Sequence, residues 1–190
     1  TDALGALYRA RQARTPPGLD DKILAAWNGL AISAFAKAAF AFDDSSTLAV
    51  ARRAANFVLR QMQKDGRLQR MHRRGRSSGP AFLEDYAFVV AGLLDLYEAD
   101  SDPRWLREAV SLQEILDRHY ADLEGGGFFR TADDHETLLV RSKPFRDGAL
   151  PSGNAVSALN LLRLAGFIDD PTLAERAQQI LAIRGAALDA

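Results

Sequence analysis

Two kinds of apolar pattern alternate along this chain. The stretch from Asp20 to Phe42 is apolar on almost every side, with Ile23, Leu24, Trp27, Leu30, Ile32, Phe35 and Phe40 spread around a helical projection. A helix of that kind is buried on most faces. From Ser46 to Met62 the pattern changes. Leu48, Val50, Ala51, Ala54, Phe57 and Val58 fall on one face, and Arg52, Arg53 and Arg60 on another. That spacing predicts an amphipathic helix lying over a core.

The pair then recurs. Leu83 to Ala99 is again apolar all round. Asp102-Pro103, an N-cap and first-turn pair, opens an amphipathic helix carrying Trp105, Leu106, Ala109, Leu112 and Leu116. A third pair runs from Ser152 to Ala165 and from Pro171 to Ile183. The all-apolar members start near Asp20, Glu84 and Ser152, a spacing of 64 to 68 residues that marks an αα-hairpin repeat. Stacked side by side, such hairpins form an inner and an outer ring. The opening segment, Asp2 to Arg14, fits the outer helix of a preceding hairpin. The predicted fold is therefore all-α, an incomplete (α/α)6 toroid of about three hairpins, with residues 1–190 as a single partial domain.

The connections within hairpins are short and those between them long. The long ones are KDGRLQRMHRRGRSSGPAF and EGGGFFRTADDHETLLVRSKPFRDGALP. Their glycine turns and alternating stretches predict a small β-hairpin in each. Both deliver the chain to the start of an apolar helix, so all three such helices begin on one rim. Long loops in a compact domain are usually functional.

Three clusters fall on that rim. They are Asp20-Asp21-Lys22 with Trp27-Asn28 a turn later, Glu84-Asp85-Tyr86, and Lys143, Arg146, Asp147, Ser152 and Asn154. Asp20, Asp21, Glu84 and Ser152 also suit helix capping. Asp85 and Tyr86 enter a helix that is apolar elsewhere, so the carboxylate there has to be paired or functional. Trp27 suits either core packing or a stacking platform. Asn28 inside a buried helix calls for hydrogen-bond partners, and its position suggests bonding across to a neighbouring helix or loop. Read as a pocket, the rim offers Asp85 as a catalytic carboxylate with Asp21 or Asp147 as its partner. Trp27, Asn28, Lys22, Glu84, Tyr86, Lys143, Ser152 and Asn154 would then contact substrate. Paired carboxylates work as acid and base when their surroundings separate their pKa values, and glycoside hydrolysis uses such a pair.

Composition narrows the remaining chemistry. The chain has 190 residues, 47% hydrophobic and 26% charged, with a formal net charge of −1, so no global field favours nucleic acid or an acidic membrane surface. The local run Arg70, Arg73, Arg74, Arg76 reads as a solvated loop. With no cysteine, disulfides and thiolate metal sites are excluded within this sequence. His72, His119 and His135 show no metal-ligand spacing, and the Gly125-Gly126-Gly127 run lacks the Lys of a phosphate loop. No metal and no cofactor are expected. The opening residues lack the apolar stretch of a signal peptide, and charges interrupt the apolar runs before a membrane span is reached. A cytoplasmic location is the expectation.

The stretches LDDKILAAWNGLAISAFA (19–36), PAFLEDYAFVVAGLLDLYEA (80–99), GGGFF (125–129) and DGALPSGNAVSALNLLRL (147–164) resemble the YyaL-type, spermatogenesis-associated family of thioredoxin-domain proteins. The resemblance implies a thioredoxin-like domain followed by a six-hairpin, glycosidase-like (α/α)6 domain, of which this sequence matches roughly the middle. Glu84 departs from the family pattern, which has Asp before Asp-Tyr-Ala. The resemblance implies a carbohydrate-active domain, hydrolase or epimerase in type. The other reading is a binding or scaffolding module in which the rim forms a structural hydrogen-bond network. Contact with a thioredoxin-like domain is implied as well. Half a toroid leaves inner-helix surface open, so self-association is expected.

Overall fold

The computed structural model describes residues 2–186. These form seven helices and four short strands. The helices are α1 (Asp2–Gln12), α2 (Ala25–Phe42), α3 (Ser45–Gln61), α4 (Leu83–Asp100), α5 (Pro103–His119), α6 (Gly153–Ile168) and α7 (Pro171–Ala186). The strands are β1 (Ile23–Leu24), β2 (Gln63–Lys64), β3 (Arg67–Arg73) and β4 (Arg76–Pro80). Helices α2, α4 and α6 lie side by side as an inner layer, and α3, α5 and α7 pack behind them. This is the partial (α/α) toroid that the repeat predicts.

The repeat extends to the helix ends. Each inner helix stops on a residue with left-handed backbone: Asp43 (φ 50°), Ser101 (φ 58°) and Asp169 (φ 54°). Each of the three donates its N–H back to a carbonyl of the helix's last turn. The outer helix follows at once. Asp44 and Asp102 cap α3 and α5 by accepting from Ser46 N and Arg104 N, at 2.8 and 2.9 Å.

Glycine sets the closeness of the inner layer. A Cβ on Gly29 would lie 2.4 Å from the backbone carbon of Phe88, and one on Gly92 would lie 2.6 Å from the carbonyl oxygen of Gly29. Helices α2 and α4 therefore meet backbone to backbone. The main core lies between the inner and outer layers, around Tyr86, Trp105, Leu112, Leu116, Tyr120 and Phe128. A second, smaller cluster joins Ala26, Ala87 and Phe88 to Leu30 and Val156, one or more residues from each inner helix.

Two details differ from the sequence pattern. Helix α2 starts at Ala25 rather than Asp20. Ile23 and Leu24 pair instead with His72 and Met71 of β3, so their backbone groups bond sideways and Asp20, Asp21 and Lys22 do not cap the helix. The first long linker builds the β2–β3–β4 arrangement, with β3 central. The second has one isolated bridge, Ala121 to Phe128, and no strand over 129–151. Scattered backbone bonds, among them Leu83 N–H to Arg130 O and Arg130 N–H to Ser142 O, and side chains hold that linker in place of a ladder.

The inner layer ends in open apolar surface. Trp27, Phe35, Phe40 and Phe42 on α2 are exposed, as are Leu159 and Leu162 on α6. Helix α1 exposes Leu4, Leu7 and Tyr8. Among the described residues α2 is the one helix long and apolar enough to cross a membrane by composition. Its packing against α3 and α4 accounts for part of that apolarity, and its outward flank for the rest.

Candidate functional site

The N-termini of α2 and α4 are joined by one side chain. Asp85, in the first turn of α4, is 1% exposed. Its Oδ1 accepts from the backbone N–H of Ala26 at 3.0 Å, and its Oδ2 accepts from Phe82 N–H at 2.9 Å. The carboxylate thus satisfies one orphan amide at the start of each helix. Arg70 Nη1 stands 3.7 Å from Oδ2. Burial pushes the Asp85 carboxyl up to about 6, against the opposing pull of the Phe82 N–H, the Arg70 charge and the Ala26 N–H.

Tyr86 is fully buried, and its hydroxyl accepts from Leu68 N–H at 3.0 Å. Burial raises its pKa. The side chain ties β3 to α4 and does not face solvent. Glu84, on the other side of Asp85, behaves differently. Its side chain is 21% exposed, and Oε1 accepts from Arg130 Nη2 at 2.9 Å and Nε at 3.2 Å. Arg130 and Arg70 both lie against the Phe82 ring, at 5.1 and 4.4 Å from its centroid.

On α2, Trp27 is 61% exposed and stands out from the rim, so it is no core residue. Asn28 is half-buried and donates to Leu24 O at 2.9 Å, within its own helix start rather than across to a neighbour. Asp21 pairs with Arg73, and Lys22 with Asp20 at 3.2 Å, on the exposed approach to β1.

The third cluster organises the second linker. Asn154 is fully buried; its Oδ1 accepts from Phe128 N–H, and its Nδ2 donates to Phe128 O and Pro144 O, at 2.8 to 2.9 Å. Lys143 donates to Asp122 Oδ2 at 2.7 Å and to Gly126 O at 2.9 Å. The Gly125 N–H and then Lys143 hold the Asp122 carboxyl down at about 2. Ser152 caps α6 through Ala155 N–H, and its own N–H donates to the exposed Asp147 at 2.8 Å. Arg146 is exposed.

The structure therefore divides the predicted set. Asp85, Tyr86, Asn154, Ser152 and Lys143 are engaged in holding backbone. Trp27, Glu84, Asp21 and Asp147 reach solvent. A cavity of about 710 Å³ opens elsewhere, between the glycine loop and α7, and none of the rim candidates lines it.

Several residues escaped the sequence reading. Arg70 is not part of a solvated loop: it lies on β3, half-buried against Phe82. Asp95, 4% exposed in the middle of α4, binds all three inner helices. It meets Ser33 and Lys37 of α2, the latter at 3.1 Å, and Arg163 of α6 at 2.8 Å. The argument that singled out Asp85, a carboxylate in an otherwise apolar helix, applies equally to Asp95. His119, Asp133 and Asp134 gather within 4.8 Å, a set of metal-ligand type that spacing does not reveal. Arg67 occupies both oxygens of Asp134, which sets it against that use.

The chain is similar to known proteins in both sequence and shape. Over 172 residues it is 45% identical to spermatogenesis-associated protein 20 of Homo sapiens, covering 85% of this chain and 22% of that protein. The Rattus norvegicus protein matches to the same extent. An uncharacterized protein of Caenorhabditis elegans is 33% identical over 181 residues, covering 91% of this chain and 25% of that protein. The chain thus spans about a quarter or less of the length of these relatives. No family model matches.

Among solved structures, a family 76 α-mannanase of Bacteroides thetaiotaomicron aligns with a TM-score of 0.68 at 17% identity, over 92% of this chain and 46% of that one. Cellobiose 2-epimerase of Spirochaeta thermophila aligns with a TM-score of 0.69 at 16% identity, over 85% and 43%. At such identities the likeness concerns the fold. The class is the six-hairpin, glycosidase-like (α/α)6 domain, and this chain forms part of one. Its relatives in sequence include spermatogenesis-associated protein 20.

Proposed function

We propose that the inner-helix rim is part of a carbohydrate-handling site, glycoside-hydrolysing or sugar-epimerising in type. The observation that carries this reading is the placement of Trp27 and Glu84. They flank the Ala26–Asp85 hydrogen bond in sequence, and both reach solvent at the joined N-termini of α2 and α4. An exposed indole offers a face to the apolar side of a sugar ring. An adjacent carboxylate can take hydrogen bonds from its hydroxyls or exchange a proton with it. Fold neighbours that include a mannanase, cellobiose 2-epimerases and a mannose isomerase support the ligand class.

In this reading Glu84 is the reactive or binding carboxylate on α4, and Asp21 or Asp147 is its exposed partner. Asp85 is a positioning residue, because both of its oxygens already accept backbone amides. Lys22, Asn28, Tyr86, Lys143, Ser152 and Asn154 keep the rim in shape. That division also favours the second reading, a binding module with a structural network, for the residues it concerns. A thioredoxin-like domain would be the partner in that case.

The test is a titration of the chain with mannose, cellobiose and short mannans, followed by NMR, with product assays in parallel. Binding lost in Trp27→Ala and in Glu84→Gln, both folded, supports the site. Binding without turnover favours the module. Sugar binding that both variants retain places the ligand elsewhere and overturns the reading.

A further inference from the structure

At the start of α4, three nitrogen-bearing side chains surround Phe82 and keep hydrogen-bonding capacity unused. The Arg70 guanidinium lies 4.4 Å from the Phe82 centroid and its Nη1 has no hydrogen-bond partner. The nearest carboxylate is Asp85, at 3.7 Å, beyond hydrogen-bond reach and already committed to two amides. The His135 ring stands 5.8 Å from Phe82, and its buried Nε2 is unpartnered. Arg130, on the same ring at 5.1 Å, spends Nε and Nη2 on Glu84 and leaves Nη1 over. Buried polar atoms in native proteins are almost always partnered, and a group placed beside Phe82 would partner both Arg70 Nη1 and His135 Nε2. For the guanidiniums such a group has to be an acceptor, because their nitrogens are donors without acceptor capacity.

Arg67, Arg73 and Lys143, on neighbouring segments, are different. Each has a carboxylate of its own, from Asp134, Asp21 and Asp122 respectively. The Arg70 side chain is 37% exposed and that of Arg130 47%, with Arg70 Nη1 the buried end of its fork. A planar fork of this kind suits a carboxylate or phosphate oxygen pair. Glu84 holds Arg130 in place without using its whole fork.

We propose that Arg70 and Arg130, packed on Phe82, receive the oxyanion of an acidic sugar. This rests on the carbohydrate reading of the same rim and sharpens it. The ligand carries a carboxylate or phosphate that lies beside Phe82. His135 shares in holding the anion once it is bound.

The experiment titrates the chain with glucose, glucuronate, glucose 6-phosphate and inorganic phosphate at low salt, by calorimetry and NMR. Glucuronate and glucose 6-phosphate are expected to bind at least about tenfold more tightly than glucose, with the preference shrinking as salt screens the charges. Arg70→Met and Arg130→Met should each remove the preference while leaving the thermal midpoint close to that of the parent. If Arg70→Met fails to fold, Arg70→Gln and Arg130→Met carry the test. Equal affinity for glucose and both acidic sugars overturns the inference and leaves the carbohydrate reading standing. Phosphate binding that depends on Arg70, with no contribution from the sugar ring, supports the oxyanion site and sinks the carbohydrate reading. Absence of binding by all four probes overturns the inference, and the carbohydrate reading then stands or falls on the mannose, cellobiose and mannan titration.

Discussion

Asp85 accepts a hydrogen bond from the backbone of Ala26, 59 residues earlier, at 3.0 Å. Its other oxygen accepts from Phe82. Asp85→Asn keeps one acceptor and turns an NH2 group toward the other amide. It should lower stability by about 1–3 kcal/mol, and Asp85→Ala by more, since two buried amides lose their partner. Chemical denaturation with an unchanged slope would check this. An Asn variant as stable as the parent would contradict the joint described here.

The same carboxyl predicts a pH response. Its pKa is about 6 in the folded chain against an ordinary 3.8, so the folded state binds the proton more tightly than the unfolded state. Stability from this group is therefore fully present below the lower value and is lost as pH rises toward 6. The loss amounts to about 3 kcal/mol if the whole shift is realised. Melting from pH 4 to 7 should show this fall in the parent and a flatter profile in Asp85→Asn.

Gly29→Ala places a methyl group where the Phe88 backbone already lies, 2.4 Å away. Neither helix backbone can yield locally, so α2 and α4 must separate. The expected loss is about 1–3 kcal/mol or more, read as a lower thermal midpoint. The equivalent change at Gly166, which has nothing within 4 Å, should leave stability unchanged or raise it.

Asn154→Ala removes three hydrogen bonds to the backbone of Phe128 and Pro144. The second linker has no ladder to fall back on. Amide exchange should rise at Phe128 and in the adjoining linker while α2 and α4 keep their protection. The global cost is expected to be about 2 kcal/mol or more.

Trp27, Phe35, Phe40, Phe42, Leu159 and Leu162 leave apolar surface open on both flanks of the inner layer. The chain should self-associate, with apparent mass rising with concentration in light scattering. Leu162→Glu and Phe35→Glu should reduce that mass. A strictly monomeric parent at high concentration would refute the expectation.

Much of this fold is visible in the sequence because its period is written in apolar residues. The all-round pattern of 83–99 and the amphipathic pattern after Asp102-Pro103 return as α4 and α5 nearly residue for residue. The start of α2 was less visible. Ile23 and Leu24 continue the helical apolar pattern, and only the distant partner strand β3 draws them out of it. The rim was legible as a set of positions but not as a set of roles. Glu84 and Asp85 are adjacent acids, yet one faces solvent beside Arg130 and the other is shut in by two amides. One step along a helix turns a side chain by about 100°, and sequence does not say which way the neighbouring helices lie.

The glycine contact between α2 and α4 has an effect above the place where it occurs. With the two backbones touching at Gly29, Phe88 and Gly92, and Asp85 tying the ends together, this half of the mouth behaves as a single plate. The α6 side closes on α4 at the rim as well: a Cβ on Gly153 would lie 2.7 Å from Leu83 Cγ and 3.4 Å from Glu84 N, and Leu83 N–H donates to Arg130 O of the second linker at 2.9 Å. Over 129–151 that linker is held by Asn154 to Pro144, by Asp147 to Ser152 and by the backbone bond between Arg130 and Ser142. With α2 and α6 both fixed to α4 at this end, adjustment of the rim falls to the exposed segment 146–151.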